Sequence, residues 1–347
     1  MYKDAPDPDC LDDLRIGRKP TDGIDRACAL RGARRTTNLH DARVRVACAL
    51  REAQHNFGRF GSFNEGSEGK TASCETDAII VNLMTTDEAT LMAMIEDLIA
   101  CEFERFSVND YRGLPTAPEF EIESGKVPVM VSAPHAVTHV RDGKVKPSED
   151  FMGAIALAVA KRANCHSIVA TRTGVGDPNW DPLEASPYKQ ALCEHVKANN
   201  IELLLDLHGM VAASPALVAV GSADGETVVK APGLDEHIAS LLRDKLSTWT
   251  VRFDKPIVLN GRYAARGQNT VARTVASECS IPALQIEVAT QLRVPTRHGK
   301  GAPKGEPIPF TGKQLPVEIA VRRTADPAAI EGLIDALCAI VCEYSRA

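Results

Sequence analysis

Apolar and polar positions follow two periods along this chain, and the switching between them predicts the fold. Short apolar runs bounded by turn residues predict buried strands at Val127–Ser132, Ser167–Thr171, Ile201–His208, Ala216–Val220, Ile257–Asn260 and Ala283–Val288. Helical periodicity predicts helices from about Ser148 to Ala163, Ser186 to Ala198, Leu234 to Leu246 and Asn269 to Glu278. An amphipathic helix at Pro327–Tyr344 closes the series. Upstream, Ala78–Leu83 reads as a strand, and Thr86-Asp87-Glu88 starts a helix running to Phe103. Strands alternating with helices predict an α/β domain: a mostly parallel or mixed central sheet with helices on both faces.

Residues 1–75 break this pattern. They combine early Pro, Asp and Gly, a basic cluster at Arg31–Arg35 and a Gly-rich stretch at Phe57–Gly69, with one helical segment from Leu39 to Gln54. Too little aromatic or β-branched content is present to build a core, so a poorly defined, partly disordered extension, with partner binding as its alternative role, is expected before a single domain at 76–347.

Bulk numbers narrow the function classes. A net charge of -6 carries no basic stripe, so no nucleic-acid partner is expected. Apolar stretches such as Ala154–Ala160 are too short to cross a bilayer, and the Met1-Tyr2-Lys3-Asp4 start predicts no signal peptide. Ten cysteines without a Cys-x-x-Cys pair suit free thiols in a reducing compartment, and a cytoplasmic protein is expected.

The candidate chemistry lies at strand ends, where open α/β sheets collect their ligands. In Asp206-Leu207-His208 the acid and the imidazole share one face of a strand, which suits His208 to a metal and Asp206 to its support. His135 follows the Val127–Ser132 strand. Pro134 and the Val137-Thr138 pair disfavour a helix joining it to His139, and the Glu of a His-Glu-x-x-His motif is absent. A loop to the Arg141-Asp142-Gly143 turn is expected instead, with His139 supporting the site, facing substrate or doing neither. Ser148 reads as a helix N-cap with Glu149 in the first turn, either a carboxylate favoured by the helix dipole or a third metal ligand. Glu287 stands inside a strand that otherwise reads as buried, where a charge is costly unless paired or functional, and is the candidate general base.

The order His135, Glu149, His208, Glu287 resembles the N-formylglutamate amidohydrolase family, itself similar to zinc carboxypeptidases in fold and site. The resemblance covers 127–293 and rests on Ser132-Ala133-Pro134-His135, Lys146-Pro147-Ser148-Glu149, Asp177-Pro178-Asn179, Asp206-Leu207-His208-Gly209 and Gln285-Ile286-Glu287. It implies one zinc per chain on His135, Glu149 and His208, with His139 the alternative third ligand, and Glu287 as catalytic acid/base. Mn, Co or Fe suits the same ligands. An acylated acidic amino acid is the implied small-molecule substrate. Arg172 and Arg293 are the expected carboxylate contacts, Arg262 and Arg266 further cations, and Asn179 a hydrogen-bonding partner. Two departures bear on the acyl group: Ala136-Val137 after the first histidine and Ala289-Thr290 after Glu287. A carboxypeptidase-like or γ-glutamyl hydrolase, and a catalytically silent binding protein, are the rival readings.

Overall fold

The computed structural model describes residues 89–174, 176–210, 214, 216–250, 256–297, 306–307 and 326–344. All lie in the second of two units, Thr71–Ala347. The extension at 1–75 and the predicted elements Leu39–Gln54 and Ala78–Leu83 fall outside the described residues.

The sheet is built from β1 (Phe120–Glu123), β2 (Val127–Ala133), β5 (Cys165–Ala170), β6 (Leu203–Gly209), β7 (Val218–Gly221), β8 (Ile257–Leu259) and β9 (Ala283–Val288). A separate two-stranded ribbon, β3 (His139–Arg141) and β4 (Lys144–Lys146), closes over the Asp142-Gly143 turn. The order in the large sheet is β1-β5-β2-β6-β9-β7-β8. The four strands from β5 to β9 are parallel neighbours. β1 is antiparallel to β5, and β7 is antiparallel to β9, so the sheet is mixed. Most residues of β2, β5, β6 and β9 are buried on both faces, as expected of strands covered twice.

The longer helices are α1 (89–101), α2 (Met152–Ala163), α3 (Pro187–Ala198), α4 (Leu234–Lys245), α5 (Val271–Cys279) and α6 (Pro327–Tyr344). α2 packs on β2 and β5, with α6 against both α2 and α4. α3 and α5 pack on each other, with α5 against β6 and β9. Among the described residues no helix is long and apolar enough to cross a membrane.

Three features differ from expectation, the first being the β3–β4 ribbon, since the segment after His135 was expected as a loop to the Arg141-Asp142-Gly143 turn. β1 was not predicted: its Phe-Glu-Ile-Glu alternation follows a Pro-rich segment and pairs only along one edge. The helix expected from Ser148 begins at Met152 instead, because Ser148 Oγ donates to the Asp150 carboxylate (2.8 Å) and Phe151 adopts a left-handed conformation (φ 66°). Glu149 therefore sits in a turn ahead of the helix.

That topology fixes where a ligand goes. From β2 the chain crosses to β5 on one side, and after β6 it continues to the other side. The crevice beyond the carboxyl ends of β2 and β6 is the switch point of the sheet.

Candidate metal centre

His135 and His208 meet at that switch point. Ser132 lies in register with Asp206, and His208 in register with Glu287 on the neighbouring strand. Because side chains alternate along a strand, Asp206, His208, Gln285 and Glu287 project from one face, while Leu205, Leu207, Leu284 and Ile286 fill the other. All four polar residues are buried.

Glu149 stands between the two imidazoles. Its Oε1 lies 3.0 Å from His135 Nδ1 and its Oε2 3.2 Å from His208 Nδ1. The Gly209 amide donates to Oε2 (2.8 Å), and the Glu149 amide donates to the His135 carbonyl (2.8 Å), so the carboxylate is pinned to both strand ends. The outer nitrogen of each ring is held by a second carboxylate. His135 Nε2 lies 2.8 Å from Asp177 Oδ1, and His208 Nε2 3.0 Å from Asp206 Oδ2.

This donor set fits a divalent cation. One atom from each of His135, Glu149 and His208 lies within 4.8 Å of the others. Imidazole, imidazole and carboxylate are zinc's ordinary ligands, and three of them leave a coordination position open. The Nδ1 atoms converge while the Nε2 atoms rest on buried carboxylates, the arrangement that fixes tautomer and orientation in metal-binding histidines.

A second group, His135, His139 and Asp177, also brings three donors together. Asp177 is already compensated there, because Arg141 Nη2 lies 2.6 Å from its Oδ2. A cation in that group would sit against a guanidinium. His139 Nε2 lies 3.4 Å from Asp177 Oδ2, and its ring stacks on that of His135 at 3.9 Å. It backs the first histidine from behind.

The electrostatics of these side chains are those of a buried ion cluster. Burial disfavours charge on His135, but the Glu149 carboxylate and the bonds to Asp177 and Glu149 outweigh it and raise its pKa to about 9. His208 is raised well above the usual histidine value because Asp206 and Glu149 overcome its burial. Burial of Glu149 is overcome in turn by His135 and His208, which hold its carboxyl well below the usual range. Glu287 moves the other way. Burial pushes it up to about 7, with the Glu149 and Asp206 charges adding to the rise and His208 and His135 opposing it. A carboxylate near neutrality is what proton transfer at ordinary pH requires.

The remaining predicted residues spread out. Arg172 is half-buried, with Nε on the Ala117 carbonyl (2.8 Å) and Nη2 3.4 Å from Glu119. Arg293 is buried, donating from Nε to the Val288 carbonyl (3.2 Å) and from Nη1 to the Asp150 carbonyl. Its guanidinium lies where a side chain at position 209 would stand, which is why glycine follows His208. Arg262 stacks near Tyr263, and Arg266 pairs with Asp224 at the surface. Asn179 touches protein at both ends of its amide, through Val271 N and Gln285 Oε1.

Asp177, Arg141 and Gln285 were not assigned roles from sequence. Asp177 was visible within Asp177-Pro178-Asn179, and its signal was an acid in a Pro-Asn turn after a strand. Nothing in sequence tied it to His135.

No protein-family model matches the chain, and no curated protein matches it. Among solved structures it is similar to a bacteriophage poly-gamma-glutamate hydrolase, at 13% identity over 67% of this chain and 92% of that one, with a TM-score of 0.38. It is also similar to a metallo-carboxypeptidase from Burkholderia cenocepacia (11% identity, 66% of each chain, TM-score 0.33). A third is the succinylglutamate desuccinylase from Chromobacterium violaceum (14% identity, 70% of this chain and 72% of that one, TM-score 0.34). Likenesses at this level assign no role to any residue.

Proposed function

We propose that the protein is a zinc-dependent amidohydrolase that cleaves the amide C–N bond of a small N-acylated acidic amino acid. One observation carries this reading: two buried imidazoles turn Nδ1 toward a shared carboxylate while their Nε2 atoms rest on separate buried aspartates. Buried charge on this scale is costly to assemble, and a cation is what repays it. His135, Glu149 and His208 are the ligands in this proposal. Zinc, when bound, supplies Lewis acidity to the scissile carbonyl and to the attacking water.

Glu287 Oε2 takes a proton from the water as the water oxygen bonds to the carbonyl carbon. The same atom returns that proton to the amide nitrogen as the C–N bond breaks, so the amine leaves neutral and the base is restored. Asp206 and Asp177 keep the imidazoles oriented throughout. Arg172 is the proposed contact for the substrate carboxylate, since its Nη1 has no hydrogen bond among the described residues. Arg293 is proposed to act from below, holding the Asp150 carbonyl beside Glu149.

Metal content of the purified protein, followed by a screen of formyl-, acetyl- and peptidyl-glutamates, tests this. About one zinc per chain, with release of the acyl group from formyl- or acetyl-glutamate, is expected. Cleavage of peptidyl substrates alone would make it a peptidase with the same site. No metal after zinc is added back would overturn the enzyme reading.

A further inference from the structure

The buried amides beside Glu287 form a directed chain. α5 begins at Val271, and the first amides of a helix have no partner within it. The Val271 N–H donates to Asn179 Oδ1 (2.9 Å). A backbone N–H can only donate, so Asn179 must present its oxygen there and its NH2 on the other side. That NH2 donates to Gln285 Oε1 (3.4 Å). Gln285 is turned by the same logic, and its Nε2 donates to Glu287 Oε1 (2.9 Å). Every donor and acceptor in the chain is fixed by a main-chain atom at its far end.

The start of that chain is itself held. Lys189 is fully buried, and its ammonium donates to the carbonyls of Asp181 and Asn269 (2.7 Å to the latter) and to Thr274 Oγ1 (3.2 Å). These partners flank the two segments that carry Asn179 and Val271. Asn269 Nδ2 adds a bond to the Trp180 carbonyl (3.0 Å). The Asp177–Asp181 loop and the start of α5 are thereby joined as one support.

We infer that Gln285 is a positioning residue for Glu287, oriented by Asn179 and the first amide of α5, and that its task is to hold Oε1 so that Oε2 alone exchanges the proton. The inference rests on Glu287 being the base proposed above. It also gives Asn179 a part in aiming Glu287 rather than in gripping substrate. Oε2 carries no hydrogen bond among the described residues, which leaves it the working oxygen. A base held by one bond from a packed amide loses little orientation between turnovers.

Infrared difference spectra of the zinc-free protein test this directly, with the Glu287 carboxylate band assigned by subtracting Glu287→Gln. In Gln285→Met the band is expected to shift as Oε1 loses its donor. Asn179→Ala is expected to move it the same way by less, and it serves where Gln285→Met fails to fold. With zinc restored, Gln285→Met should retain the metal, leave KM within about twofold and lower kcat by up to about 10²-fold, the cost of a catalytic group misplaced by about 1 Å. An unmoved band in a folded Gln285→Met or Asn179→Ala protein would overturn the inference. Because that band is read without metal or substrate, a protein that shifts it yet neither binds zinc nor hydrolyses the glutamates would overturn the proposed function and leave the support of Glu287 standing.

Discussion

The two histidines of the candidate metal centre are supported in different ways. His208 takes its support from within its own strand, since Asp206 lies two residues back on the same face of β6. His135 lies beyond its strand and takes its support from Asp177, on a loop that follows β5. The Asp206 side chain has His208 as its one hydrogen-bonded partner among the described residues, and its Oδ1 is buried without a partner. Asp177 gathers His135, His139, Arg141 and the Asn179 amide. A strand can orient a side chain by pleat alone. A loop residue needs many contacts to be held as firmly, and the Asp177 cluster supplies them.

Removing either imidazole breaks the comparison at its root. His208→Ala and His135→Ala are each expected to take zinc from about one per chain to none, read by elemental analysis, because two ligands seldom hold a catalytic metal. Glu287→Gln is expected to keep the zinc and to lower kcat by about 10²–10⁴-fold, the range for loss of a positioned proton carrier. Retention of full activity by that variant would remove Glu287 from the chemistry.

The supporting aspartates sharpen the comparison. Asp206→Asn and Asp177→Asn should each weaken zinc binding by about 10–100-fold, measured by competition with a chelator. The larger loss is expected at Asp177, because that change also leaves Arg141 without its anion and loosens the loop. Equal losses would mean that the loop contributes nothing beyond its single bond to His135.

The smallest expected effect concerns stability. Glu102 is buried beneath the turn that carries Glu149, accepts the Phe151 amide (2.8 Å), and is pushed up to about 8 by that burial. Its folded form therefore keeps a proton that the unfolded chain releases near 4.5. Between those values the folded state binds more protons, so this group's contribution to stability falls as pH rises from about 5 to 8. Urea unfolding at both ends of that window should show a smaller fall for Glu102→Gln than for the unaltered protein. The same slope in both would show that Glu102 ionises normally.

How much of this could be read in advance follows the same division. Asp206-Leu207-His208 declared itself because strand parity places residues two apart on one face, whatever the rest of the chain does. Gln285-Ile286-Glu287 obeys the same rule. Only the acid attracted notice, however, since a buried glutamine raises no alarm until its two partners are known. The helices that carry the scaffold were legible from their periodicity, and Pro187 at the start of α3 and Thr270 capping α5 sit where local chemistry puts them. Glu149 was legible as a residue of interest but was misplaced on a helix. The left-handed turn at Phe151 is set by what surrounds it: Glu102 accepts its amide, and its side chain is buried in the core.

The sequence by itself singled out candidate ligands and a candidate base, and the strand face on which Asp206, His208 and Glu287 stand, because both depend on residue type and a local period of two. Only the tertiary structure decided that β2 and β6 lie side by side at the switch point. It brought Asp177 to His135 across 42 positions and linked the first amide of α5 to Glu287 through two side-chain amides. Those contacts depend on strand order and on loops packed by a buried lysine. No local period encodes a partner that distant, since the closure of the fold is what makes the two ends neighbours.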